Sequence, residues 1–112
     1  MHTLTLEIND LSAVDVRVTA DALAVTLSDG RLVAAPLAWF PRLMAGTPRE
    51  RNAWRLIGGG EGIHWEHLDE DVSVEGLLAG RGSQESPKSL QRWLQSREEE
   101  TAPVGRRTRA RA

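Results

Sequence analysis

Residues 63–78, IHWEHLDEDVSVEGLL, bring His64, Glu66, His67, Asp69, Glu70 and Asp71 together beside Trp65. Imidazole and carboxylate offer two chemistries here, ligation of a divalent cation and proton transfer between groups of unequal pKa. A metal requires ligands that converge on one point. His64 and His67 converge only on a helix; the segment reads as a strand, which puts them on opposite faces and leaves His64 and Glu66 on one side. His64, Glu66, Asp69 and Asp71 are therefore weak candidates for a metal or acid–base site, and no cofactor is expected.

The acids have a simpler use. Asp69-Glu70-Asp71 reads as a solvated turn before Ser73, which can cap a short helix over VEGLLAG, and carboxylates favour the positive end of a helix. As exposed surface, Asp69, Glu70 and Asp71 also suit recognition of a basic partner.

Other catalytic patterns fail on spacing. In GGGEG a dinucleotide fingerprint would need glycine at Ile63, and a phosphate loop would need a following Lys-Ser or Lys-Thr. Ser83 and Ser86 lack the G-x-S-x-G context of a hydrolase nucleophile. The chain has no cysteine, which excludes thiol chemistry. The expectation is a non-enzymatic protein.

Two regions point to partners instead. PKSLQRWLQSREEE carries Leu90, Trp93 and Leu94 at helical spacing, a narrow stripe that must dock on the domain or on another chain. The tail VGRRTRARA carries Arg106, Arg107, Arg109 and Arg111 and no acid, a basic arm able to touch nucleic acid.

These residues need elements to position them. Period-two alternation predicts strands at Leu4, Leu6 and Ile8, at Val14, Val16 and Val18, and at Leu23, Val25 and Leu27. Asp29-Gly30 then reads as a two-residue hairpin turn into RLVAAPL, a strand that Pro36 ends. AWFPRLMAG is expected as one short helix with Trp39, Phe40, Leu43 and Met44 on one side. Thr47-Pro48-Arg49-Glu50 has the grammar of a helix start, predicting a helix over 48–53.

A second hairpin follows, with strands near 54–57 and 62–67 joined by glycines and Trp54 packed on Ile63 or Trp65. After Ser73, Val74, Leu77 and Leu78 should face the sheet, with Gly80 closing the helix. Trp39, Trp54 and Trp65 are assigned to core packing, which leaves Trp93 as the candidate for a partner contact. The fold class is α+β: a small antiparallel β-meander with short helices packed on it, plus a C-terminal helix. The expected divisions are a domain over 1–82, a linker and amphipathic helix over 83–101, and a disordered basic tail over 102–112.

Composition sets the outer limits. A chain of 112 residues supports one core. Neither a basic leader with an apolar run nor a stretch of membrane-spanning length occurs, so no membrane association is expected and the cytoplasm is the expected location. Without the arginine tail, residues 1–103 hold ten basic and sixteen acidic residues, net −6. An acidic body disfavours binding along a phosphate backbone and favours a basic protein partner; nucleic acid is left to the tail. An open sheet edge would also permit a homodimer.

The run LSDGRLVAAPLAWFPRL, followed by RNAWRLIGGGEGIHWEHLDEDVSVEGLL, resembles the prokaryotic domain of unknown function 2442. The resemblance covers about residues 13–80 and rests on Asp29-Gly30-Arg31, Pro36-Leu37, Trp39-Phe40-Pro41-Arg42-Leu43, Ile63-His64-Trp65, Asp69-Glu70-Asp71 and Gly76-Leu77-Leu78. SLQRWLQSR is similar to an extension in longer members. The resemblance implies a small α+β fold and no established enzymatic activity. It also implies a two-gene cassette, with a short second protein encoded alongside in the manner of toxin–antitoxin pairs. Some members carry a further helix-turn-helix domain, for which this chain has no room after residue 80. The leading expectation is thus an antitoxin-like or regulatory partner of a small protein; a DNA-associated regulator is the second, and a metal or acid–base enzyme built on 64–71 the third.

Overall fold

The computed structural model describes residues 11–101. The strand expected at Leu4, Leu6 and Ile8 and the tail arginines Arg106, Arg107, Arg109 and Arg111 lie outside these residues. The described chain is α+β, built from two three-stranded antiparallel sheets, short helices and a C-terminal helix. The expected meander forms the first sheet, and the expected second hairpin gains a third strand to form the second.

The first sheet has the order β1 (Ala13–Val18), β2 (Ala22–Leu27), β3 (Leu32–Pro36). Its central strand obeys the alternation: Leu23, Val25 and Leu27 are all fully buried. On β1 the alternation breaks, because the register shifts between Ala13 and Asp15. This bulge turns Val14 out to 54% exposure and puts Ala13 on the inner face with Val16. The β2–β3 loop also differs from expectation. Leu27 donates to the Arg31 carbonyl and accepts from Gly30, and Gly30 alone takes positive φ. Ser28–Gly30 is therefore a three-residue loop with a glycine bulge, tied by Asp29 accepting from the Arg31 backbone.

Pro41 decides the next segment. A residue before proline avoids helical ψ, and Phe40 sits at φ −128°, ψ 83°. The expected single helix is split into a 3-10 turn at Leu37–Trp39 and α1 (Pro41–Ala45). Leu37, Phe40 and Leu43 are buried, while Trp39 and Met44 turn outward, so Trp39 is no core residue.

Helix α2 (Pro48–Arg51) begins with the expected Thr47 cap and ends two residues early. Thr47 Oγ1 accepts from Glu50 N–H and Glu50 Oε1 from Thr47 N–H, a reciprocal capping box. Thr47→Ala should cost about 1 kcal/mol, lowering Tm by about 4 °C or more in a melt followed by circular dichroism.

The second sheet runs β4 (Trp54–Ile57), β5 (Gly62–Trp65), β6 (Glu70–Ser73). Gly58, Gly59 and Gly60 all take positive φ in the β4–β5 connection. At Gly60 a Cβ would lie 2.7 Å from Ser12 Cβ and 2.8 Å from the Ala13 carbonyl, so glycine lets the connection press on β1. The expected Trp54–Trp65 pairing is present across β4 and β5. The inner faces of both sheets share one core with Leu37, Phe40, Leu43, Leu68, Val74 and Leu77.

Ser73 caps α3 (Val74–Leu78) by accepting from Gly76 N–H. Leu77 and Val74 are buried, but Leu78 is partly exposed, contrary to expectation. Gly80 at φ +75° closes the helix as expected, its N–H reaching Leu77 and that of Arg81 reaching Gly76. An extended strap then leads to α4 (Pro87–Thr101). Among the described residues, no helix is long and apolar enough to cross a membrane.

Candidate functional site

Strand parity scatters the acid run. Asp69-Glu70-Asp71 is no turn before a helix: Glu70 and Asp71 lie in β6, and Asp69, at φ 50°, forms the bend into it. Glu70 pairs with Trp65 across the ladder and shares its inner face, whereas Asp71 pairs with His64 on the outer face. Three adjacent acids therefore meet three environments. The signal is present in the sequence: DVSV after Glu70 puts Val72 two residues on, a period-two pattern hidden by the charges.

On the outer face, His64 Nδ1 is 2.5 Å from Asp71 Oδ1 and Nε2 is 3.3 Å from Glu66 Oε1. The Asp71 hydrogen bond, helped by the charges of Asp71 and Glu66, raises the imidazole pKa above its ordinary value. Glu66 also faces Arg55 at 3.6 Å. The two carboxylates lie on opposite nitrogens of one ring, so they bracket the imidazole instead of converging with it. His67, on the turn after β5, is exposed. Among the described residues no three His, Asp or Glu side chains form a group able to hold a metal.

On the inner side lies an open cleft of about 410 Å³. Its charged lining is Arg42 of α1, Asp69, Glu70 and Asp71, and Arg81 and Glu85 of the strap. Burial pushes Glu70 up to about 7; Arg42 pulls it down, while Glu85 and Asp71 push it further up. A carboxyl that titrates near neutrality at an inner strand position is the unusual group of this structure.

Arg42 organises the cleft floor. Its guanidinium forks onto Glu85, with Nε–Oε1 at 2.8 Å and Nη2–Oε2 at 2.5 Å, and donates to the Asp69 carbonyl at 3.2 Å. This pairing holds the Glu85 carboxyl below its ordinary range. The sequence reading does not single out Arg42, Arg81 and Glu85 as functional residues; positions 42 and 85 are far apart in the chain and only folding joins them.

Two hydroxyls reach the cleft, and both are occupied by backbone. Ser73 Oγ accepts from Gly76 N–H and Ser83 Oγ from Glu85 N–H. Ser89 Oγ donates to Glu85 Oε2 at 2.8 Å, but that oxygen already accepts from Arg42, and neither of the two cleft hydroxyls is paired with a base.

Helix α4 places the remaining candidates. Trp93 is partly buried against the core, with the guanidinium carbons of Arg42 and Arg97 at 4.6 and 4.9 Å from its ring centre. Leu90 is partly buried, and Leu94 is 38% exposed. Trp93 is thus engaged within the chain, while Leu94 faces outward.

A family model described as "Protein of unknown function (DUF2442)" matches residues 13–83. A crystal structure of a protein of unknown function from Rhodospirillum rubrum ATCC 11170 is 30% identical with TM-score 0.60, covering 69% of this chain and 95% of that one. The solution NMR structure of an uncharacterized protein from Chromobacterium violaceum has TM-score 0.60 at 22% identity, covering 81% of this chain and 84% of that one, and shares the fold. No curated protein matches the chain. The family match takes in both sheets, α1 to α3 and the whole Glu70 strand, with the hairpin, Trp-Phe-Pro-Arg-Leu and Ile-His-Trp segments in their expected places; the chain belongs to the DUF2442 family of proteins of unknown function.

Proposed function

We propose that this protein is a non-enzymatic interaction module that receives a basic segment of a partner protein in the cleft beside Glu70, as an antitoxin-like or regulatory protein would. One observation carries the reading: the cleft is lined by four carboxylates and two guanidiniums, and one of those guanidiniums is already paired with Glu85. The Asp69 side chain at its rim is 84% exposed, accessible to an incoming lysine or arginine, whereas Asp71 is held by His64 on the outer face. A cation bound there would favour the ionised form of Glu70, relieving the cost of its burial. With no paired nucleophile in the cleft, binding accounts for these groups better than catalysis does.

The test is co-expression with the product of the adjacent gene, with capture through a tag on this chain. Wild type should retain a complex that weakens with salt, and the Asp69→Asn/Glu70→Gln double variant should bind about tenfold less tightly, a change of about 1.4 kcal/mol. Equal affinity of the two proteins would remove the cleft from the interface. Absence of any complex would remove this partner.

A further inference from the structure

Helix α4 is held to the body by charged contacts as well as by the partly buried Leu90 and Trp93. Of its stripe, Trp93 packs partly on the core, Leu90 is partly buried and Leu94 is 38% exposed. Arg97 donates to Glu50 at 2.9 and 3.2 Å and to the Ala45 carbonyl at 3.4 Å, supplying a partner to a C-terminal carbonyl of α1. The second attachment is the Arg42–Glu85 fork on the strap, and the Trp93 ring lies between the two arginines. A helix of fifteen residues fastened in this way depends on its clasp, because alone it would be marginal in water.

The strap is also a wall of the cleft. Arg81, Gly82, Ser83, Gln84 and Glu85 line one side, and Glu70 lies on the β6 side. The charged groups around Glu70 are Arg42 from α1, Asp69 and Asp71 from its own bend and strand, and Arg81 and Glu85 from the strap. We propose that the strap and α4 form a releasable arm, latched over the cleft by the Arg42–Glu85 pair and unlatched when Glu70 carries its negative charge.

With Glu70 neutral, Arg42 forks onto Glu85, with the exposed Asp69 carboxylate 3.6 Å from its other amino group. With Glu70 ionised, a third carboxylate acts on Arg42 and the strap carboxylate meets a like charge. The sign follows by linkage. Glu70 is pushed up to about 7 with the strap in place. Releasing the strap removes Glu85 and part of the burial, so the carboxyl returns toward its ordinary value of 4.5. The latched form therefore binds the proton more tightly. Its Glu70 contribution is fully present below the released-form pKa and is lost as pH rises through about 7.

Glu85 and Glu50 act in the opposite direction. Arg42 and Arg97, respectively, hold them below their ordinary range, so their contribution is lost only on stronger acidification. The arm is thus tightest in mildly acidic solution and opens through neutrality. Use of the opened cleft by a partner rests on the function proposed above, whereas the movement itself is measured on the protein alone.

The absence of native cysteine makes that measurement direct. Arg49→Cys on α2 and Gln95→Cys on α4, both exposed, take a pair of spin labels in the full-length protein, and dipolar spectroscopy gives the latched and released populations. Between about pH 5.5 and about pH 8, the released-to-latched ratio should rise at least about tenfold, one pKa unit of linkage. In Glu70→Gln the change should be under about twofold, and Glu85→Gln should be largely released at both values. A wild-type distance distribution that does not move with pH, or an unaltered pH response in Glu70→Gln, overturns the proposal. Loss of partner binding with the pH response intact would instead strike only the interaction reading.

Discussion

Trp65→Ala is expected to cost about 4 kcal/mol and to leave little folded protein at physiological temperature, as read from urea unfolding followed by circular dichroism. Trp65 is fully buried at the centre of the second sheet, paired with Trp54 on one side and Glu70 on the other. Its indole N–H donates to the Arg51 carbonyl at 2.9 Å. Arg51 in turn donates to the Leu43 and Met44 carbonyls, so one ring ties the sheet to both short helices. Alanine would leave a large cavity and a carbonyl without its donor. Trp65→Phe keeps most of the volume but not the hydrogen bond, and should cost about 1–2 kcal/mol. A loss below about 1 kcal/mol for alanine would mean that the site collapses around the missing ring.

Arg42→Ala should cost about 2–3 kcal/mol and detach α4, because the substitution leaves Glu85 without its fork and takes one cation from the Trp93 ring. The Arg42 and Glu85 side chains are only 13% and 12% exposed, so water restores little of what is lost. Arg42→Lys keeps the charge but cannot reproduce the two parallel hydrogen bonds, and should recover less than half of the loss. Chemical denaturation gives the stability, and the same pair of spin labels on α2 and α4 gives the position of α4. If Arg42→Ala and wild type unfold within about 0.5 kcal/mol of each other, the pair behaves as a surface ion pair and the latch loses its foundation.

Sequence expectation and structure differ most where charge masks a local pattern. Glu70, Asp71 and Ser73 are polar enough to pass for a turn, yet β5 offers an unpaired edge and Val72 an apolar inner position, so the segment completes a sheet. The charged residue then takes the inner place that parity assigns it. Val14 shows the converse: its type suits a strand interior, but a bulge turns it outward. Trp39 and Met44 are displaced by a different rule, the restriction that Pro41 places on Phe40.

The sequence by itself determined the α+β class, the β1–β2 and β2–β3 hairpins, the glycine-joined β4–β5 hairpin, the Thr47 and Ser73 caps and the family, because alternation, capping and turn chemistry act between residues a few positions apart. The metal reading was weakened at the same level, by strand parity alone. Only the tertiary structure decided that Glu70 faces inward toward the cleft, that Asp71 turns to His64, and that Arg42 meets Glu85 and Trp93. These are contacts between distant segments. Their energies depend on burial and on which charge lies opposite, quantities that exist only after the two sheets, the strap and α4 have been brought together.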